Sequence, residues 1–114
     1  MGVMDRVRAH ARPTVVRQIS VPEWGEGGEP LVIYFTPVSL GDLEEARKGP
    51  DGKPHGDMRA NAELVCIKAA DAVGNPLFRR IDALSLMTEA DPVVVLRIAG
   101  QMTSGPTPDD AAKN

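Results

Sequence analysis

Gly25, Gly27 and Gly28 stand within four residues of one another and are followed by Pro30, and no feature of the chain limits its fold more. The segment Glu23-Trp24-Gly25-Glu26-Gly27-Gly28-Glu29-Pro30 supplies three residues able to take φ > 0, with a proline setting the entry into the next run. The flanks suit strands. Leu31 to Thr36 is β-branched and aromatic, and Thr14 to Val21 is β-branched but interrupted by Arg17 and Gln18, as a strand with one wet face requires. A β-hairpin over residues 14–36 follows. Trp24 falls at the strand exit, where an indole covers one end of a small core and keeps its N–H near water or backbone; the competing role is stacking on a ligand.

The length of 114 residues fits one domain, and aromatic residues make up only 4% of it, so the core must come from aliphatic side chains and alanine. Burying a Val or Leu contributes roughly 1.5–3 kcal/mol, and few larger contributions are available. Such a thin core leans on self-association or on a partner. The formal net charge of −3 argues against a nucleic-acid or membrane-surface protein that needs a basic field. Arg6, Arg8, Arg12, Arg17 and His10 form one local basic cluster, read as a solvated leader or as a contact for an acidic partner. Cys66 has no second cysteine to pair with, and its neighbours Leu64, Val65 and Ile67 mark it as a small buried hydrophobe in a reducing compartment. No apolar run approaches the roughly 18 residues of a membrane span, and no apolar signal core opens the chain. The expected location is the cytoplasm.

Residues 1–12 show no clear period and are expected to fray as a flexible leader. Ser39 with Asp42 three residues on makes an imperfect capping box for a helix over about 39–48, with Leu40, Leu43 and Ala46 inward. The loop Gly49 to Gly56 breaks regular structure. Asp57 is a candidate N-cap for a helix through Val73, ended by Gly74-Asn75 before Pro76. Its polar residues past the first turn are only Glu63, Lys68 and Asp71, so the helix reads as central or covered by another chain. Ile81, Leu84 and Met87 have helical spacing within about 81–88. Asp91-Pro92 starts a last helix over about 91–102, although Val93-Val94-Val95 favours a strand on propensity; Arg97 and Gln101 four apart decide for the helix. Residues 103–114 read as a disordered tail. The fold class expected is α+β, a hairpin packed on three to four helices.

Reactive equipment is scarce. The glycines at 25, 27 and 28 precede a strand and not a helix start, so they form no phosphate loop. His10 and His55 share no metal-ligand spacing with Cys66, and both lie in segments expected to be mobile. Glu44-Glu45 and Asp109-Asp110 sit on an expected wet face and in the expected tail, whereas general acid/base work needs a shielded site. The expectation is a protein that is not an enzyme, with no catalytic residue, cofactor or metal.

The order of features resembles the tail assembly chaperones of long-tailed bacteriophages and prophages. The matching pieces are Val21-Pro22-Glu23-Trp24-Gly25 before the strand Leu31 to Phe35, the helix from Ser39 to Arg47, Ala62-Glu63-Leu64-Val65-Cys66, and Asp71-Ala72-Val73-Gly74-Asn75-Pro76-Leu77-Phe78 before a final apolar helix. Two departures are Arg79-Arg80, where acidic residues usually follow the Leu-Phe pair, and the Gly-Pro-rich loop at 49–56. The resemblance implies a cytoplasmic protein, absent from the finished virion, that holds the tape measure protein and brings tail-tube subunits, the major tail protein, to it. The partner surface expected from this reading is Trp24 with Leu64, Ile67, Val94 and Ile98 of the long and final helices, residues that internal packing could equally claim. Ala112-Lys113-Asn114 is compatible with the codons GCA-AAA-AAC, a slippery heptamer, which suggests a short product beside a frameshifted longer form; an ordinary polar C-terminus is the alternative. The other functions considered are a minor tail or head–tail joining protein of the virion, and a small ligand-binding regulatory module with Trp24 and Tyr34 lining a pocket.

Overall fold

The computed structural model describes residues 2–11, 16–48, 52–53 and 56–104. The order of elements is α1 (Val3–Ala11), β1 (Arg17–Glu26), β2 (Glu29–Phe35), α2 (Leu40–Lys48), α3 (Asp57–Lys68), α4 (Asp82–Glu89) and α5 (Pro92–Thr103). The fold is α+β, an antiparallel two-stranded hairpin with helices packed on it. The basic stretch read as aperiodic is helical over Val3–Ala11. The expectations for the greater part of the 49–56 loop, for His55 and for residues 105–114, including the Ala112-Lys113-Asn114 end, fall outside the described residues.

The strands run further into the turn than the sequence suggests, because the reversal takes only Gly27 and Gly28 and β1 continues through Trp24 to Glu26. Both turn glycines have positive φ, 63° and 82°, as a two-residue hairpin turn matched to strand twist demands. Ile19 faces Ile33 and Val21 faces Leu31, but the next pair is Glu26 with Glu29, so four residues of β1 bow out against one of β2. Gly25 permits the bow. A Cβ there would lie 2.1 Å from the Glu29 carbonyl oxygen. Ile19, Val21, Ile33 and Phe35 share the inner face and join Ala62, Leu64, Val65, Val94, Ile98 and Met102 in one core, in which Phe35 is the one fully buried aromatic among the described residues. The core is aliphatic, as the composition requires.

α3 contacts α2, α4 and α5 and is the centre of the helical layer. It stops at Lys68, five residues before the expected end at Val73, because the chain takes the free edge of β2 instead. Tyr34 N donates to Ala70 O at 2.8 Å and Ala70 N returns the bond to Tyr34 O at 2.9 Å. Asp71 then closes a turn, its Oδ1 accepting from Val73 N and Asn75 N at 2.9 Å each, and Ala70 bridges onward to Pro76. Covering an exposed strand edge satisfies backbone groups that would otherwise invite another strand. Gly56, not Asp57, holds the cap position of α3 and makes no side-chain bond; Asp57 sits one residue inside, still near the positive helix end.

The remaining helix starts follow the residues expected of them. Ser39 and Asp42 form the reciprocal box, with Ser39 N donating to Asp42 Oδ2 at 3.0 Å and Asp42 N to Ser39 Oγ at 3.1 Å. Asp91 Oδ1 accepts from Val93 N at 2.9 Å with Pro92 at the first helical position, so the valine run is helical. One inward assignment is corrected. In α2, Leu43 and Ala46 pack while Leu40, in the first turn, stands in solvent. In α4, Ala83 and Leu86 face the core, while Leu84 and Met87, like Ile81 just before the helix, face outward. The small Ala83 side chain lets α4 approach closely on the side that the larger residues do not occupy. Among the described residues no helix is long and apolar enough to cross a membrane.

Candidate functional site

Of the five residues expected to meet a partner, three are inside the protein. Leu64, Val94 and Ile98 belong to the core, with Ile98 0% exposed, and Ile67 is half-buried against it. This corrects the expected surface on α3 and α5: their apolar residues point to each other and to the hairpin, since a close-packed core takes the branched side chains first. Trp24 is half-buried on the bow of β1, edge-on to Phe78 with ring centroids 6.1 Å apart and planes at 72°. That geometry is a stable aromatic pair, and it fixes the bow over the segment leading into α4. Trp24 and Tyr34 do not share a pocket. Trp24 borders a depression with Phe78, Asp82 and Leu86, whereas Tyr34 borders another with Ile67, Lys68 and Ala70.

The apolar surface that is open lies elsewhere. Leu84 is 57% and Met87 42% exposed on α4, and Val93 and Leu96 are exposed on α5, one helical turn apart. Met58, at the start of α3, is exposed too. Between these helices runs a groove lined by Met58, Ala62, Leu86, Met87, Pro92, Val95 and Leu96. Its volume of about 160 Å³ is below the roughly 300–1,000 Å³ of small-molecule pockets, so it suits side chains presented by another helix. Methionines at 58 and 87 make an adaptable lining, because an unbranched thioether repacks around different shapes. Sequence spacing had found Ile81, Leu84 and Met87 as one helical stripe without fixing which side it faces. The signal was present; its direction was not.

Charge holds the groove's frame together. Glu63, in the middle of α3, is 0% exposed, and Arg80 Nε donates to its Oε2 at 2.8 Å while Arg59 Nε lies 3.6 Å from its Oε1. Arg80 Nη2 also reaches the Glu45 carbonyl oxygen at 3.3 Å, so one guanidinium joins α2, α3 and the entry to α4. Arg80 had read as a departure in a turn and Glu63 as a plain polar position; Arg59, four residues before Glu63, was the available hint. Lys68 Nζ plays a similar part at the other end of α3, donating to Thr36 Oγ1 at 2.8 Å and lying 3.1 Å from Asp42 Oδ2. Hydrogen bonding from Ser39 and Lys68 outweighs burial and holds the Asp42 carboxyl below its usual range.

Arg97 carries the contact between α5 and the bow of β1, with Nη1 and Nη2 donating to the two Glu23 carboxylate oxygens at 2.6 and 2.8 Å. These hydrogen bonds lower the Glu23 pKa to about 2. Cys66 is a buried free thiol, as its neighbours suggested. Burial first, then the nearby Glu63 and Asp82 carboxylates, push it up to about 12, which makes it a poor nucleophile. Among the described residues no three His, Cys, Asp or Glu side chains are grouped to hold a metal ion. Comparison of the chain with protein-family models, with curated proteins and with solved structures finds no match in any of the three.

Proposed function

We propose that this protein is a cytoplasmic tail assembly chaperone of a long-tailed bacteriophage or prophage, which holds an apolar helical stripe of the tape measure protein and brings tail-tube subunits to it without catalysis. The observation that carries the reading is the groove of α3, α4 and α5, lined by the exposed Met58, Met87 and Leu96, with Leu84 and Val93 also in solvent on the same helices α4 and α5. Exposed apolar side chains gathered on adjoining helices mark a surface for another polypeptide. A groove of this section accepts a helix through residues spaced three and four apart, the mode by which an amphipathic helix is gripped. The working surface is therefore moved from Leu64, Val94 and Ile98 to the outward residues of the same helical layer, and Trp24 serves to brace the bow beside it.

Co-expression with the long helical protein encoded nearby tests the reading. The partner should be soluble with the wild-type chain and should precipitate with a Met87→Glu/Leu96→Glu variant, whose substitutions lie outside the core. A partner equally soluble without the chain overturns it. Mass spectrometry of purified particles separates the chaperone from a minor tail or head–tail joining protein, because a chaperone is missing from the finished particle.

A further inference from the structure

A depression of about 440 Å³ lies between the bow of β1 and α4, lined by Trp24, Phe78, Asp82, Ser85, Leu86 and Glu89. That volume falls within the roughly 300–1,000 Å³ of ligand sites. Its walls differ in chemistry, with two half-buried aromatic rings on one side and two carboxylates on the other. We propose that this depression binds the guanidinium of an arginine residue presented by another polypeptide. The inference goes beyond the chaperone reading and does not depend on it.

The ring planes of Trp24 and Phe78 stand at 72°, so the pair makes two walls of a corner and not a parallel stack. The negative face of an aromatic ring attracts a cation, and a planar, weakly hydrated guanidinium also stacks on it. Opposite the rings, Asp82, Ser85, Leu86 and Glu89 share one face of α4 at three- and four-residue spacing. Asp82 and Glu89 are separated by about 10 Å of helix rise, which puts negative charge at both ends of the depression. The neighbouring cations leave that charge largely in place. Asp82 Oδ2 accepts from Arg79 N at 2.8 Å and Arg79 Nη2 lies 3.6 Å from Oδ1, but Arg79 is outside the lining and its side chain is 77% exposed. Such an exposed pair is weak. Arg97, which reaches the bow, already donates to both carboxylate oxygens of Glu23. Glu89 has no hydrogen bond or ion pair among the described residues. A guanidinium answers both walls at once, its flat face on the aromatic corner and its N–H groups on a carboxylate. An ammonium lacks the flat face and the two-pronged bond, and an apolar side chain would leave the carboxylates to be desolvated without a partner.

Trp24 is the only tryptophan of the chain, so its fluorescence reports on the site directly. Titration of the full chain with N-acetyl-argininamide should shift the emission saturably, with a dissociation constant of about 1–10 mM for one side chain at an open site. Added salt should weaken the response. N-acetyl-citrullinamide, which keeps the shape and loses the charge, should give no saturable shift, and N-acetyl-lysinamide should bind more weakly than the arginine probe. Free arginine should also bind more weakly, because its α-carboxylate meets the same acids; tighter binding would overturn the assignment to a polypeptide. Glu89→Gln should weaken the arginine response roughly twofold to fivefold. Arg79→Gln releases Asp82 and should strengthen it. Both positions are exposed, and unchanged circular dichroism will show that the variants fold. Trp24→Leu, followed through the NMR signals of the probe, should lose binding. The absence of a saturable response to N-acetyl-argininamide over that range overturns the proposal. So does a citrulline or lysine probe that binds equally well, or an arginine response that Glu89→Gln and Arg79→Gln leave unchanged.

Discussion

α3 and α4 pack against one another and break the usual rule of residue placement in opposite directions. α3 carries a glutamate inside, Glu63 without exposed surface, and α4 carries a leucine and a methionine outside. Each exception has its own cause. Glu63 stays because Arg80 and Arg59 reach it from the turn before α4 and from the preceding turn of α3, so the charge exchanges water for guanidinium partners. Leu84 and Met87 stay outside because α4 meets the core through Ala83 and Leu86, and the small residue fixes which side can approach. At these two exceptions burial is decided by what the neighbouring element offers and not by the residue's own polarity.

The largest expected effect breaks the first half of that contrast. Arg80→Met leaves the Glu63 carboxylate buried beside Arg59 alone, and stranding one member of a buried pair costs about 3–5 kcal/mol. Urea unfolding should show most of that loss. The double variant Arg80→Met/Glu63→Met should recover much of it, because removing both charges leaves no unpaired ion. If the single variant matches wild type, Glu63 finds its compensation elsewhere.

This pair also shows what the sequence could reveal. Local chemistry was readable wherever one side chain acts on nearby backbone: the glycine turn at 27–28, the Ser39–Asp42 box, the Asp91-Pro92 start and the helix through the valines all formed. Directions between elements were not readable. A stripe at Ile81, Leu84 and Met87 has helical period whichever way it faces, and the deciding facts, Ala83 against α3 and Arg80 beneath Glu63, connect residues far apart in the chain. The early end of α3 failed for the same reason, since Ala70 is taken by the edge of β2, a partner 36 residues away. The candidate surface was thus legible as a set of helices and illegible as a set of residues.

A pair of leucines sharpens the comparison. Leu64→Ala should cost about 3 kcal/mol in urea unfolding, through lost burial and the cavity left in a close-packed core. A much smaller loss would mean that α3 is less central than its contacts with three other helices indicate.

The contrast extends to ion pairs, with a smaller effect. Glu23 and Arg97 form a bidentate pair that stands partly in water, unlike Glu63 and Arg80. The folded Glu23 pKa is near 2 against an ordinary value of 4.5, so the folded state binds the proton less readily than the unfolded chain. Its contribution is present above pH 4.5 and is lost as the pH falls towards 2. Glu23→Gln should therefore differ from wild type in thermal midpoint at neutral pH, and the two curves should converge over that acid window. A difference that persists at the acid end would assign the effect to packing of the bow and not to charge.

Leu84→Ser should have the smallest effect on stability, within about 0.5 kcal/mol, because the side chain is already mostly in water and serine only removes apolar surface that folding did not bury. The same substitution should lower the chain's ability to keep a helical partner soluble, since an exposed leucine gains its apolar burial only in a complex. The two measurements on one variant test opposite halves of the contrast. Loss of stability would show that α4 buries Leu84 within the monomer, and unchanged partner solubility would show that its outward position serves no contact. A stable chain with a weakened grip requires that the side chain's burial occur in the complex, which is what an outward leucine on α4 means.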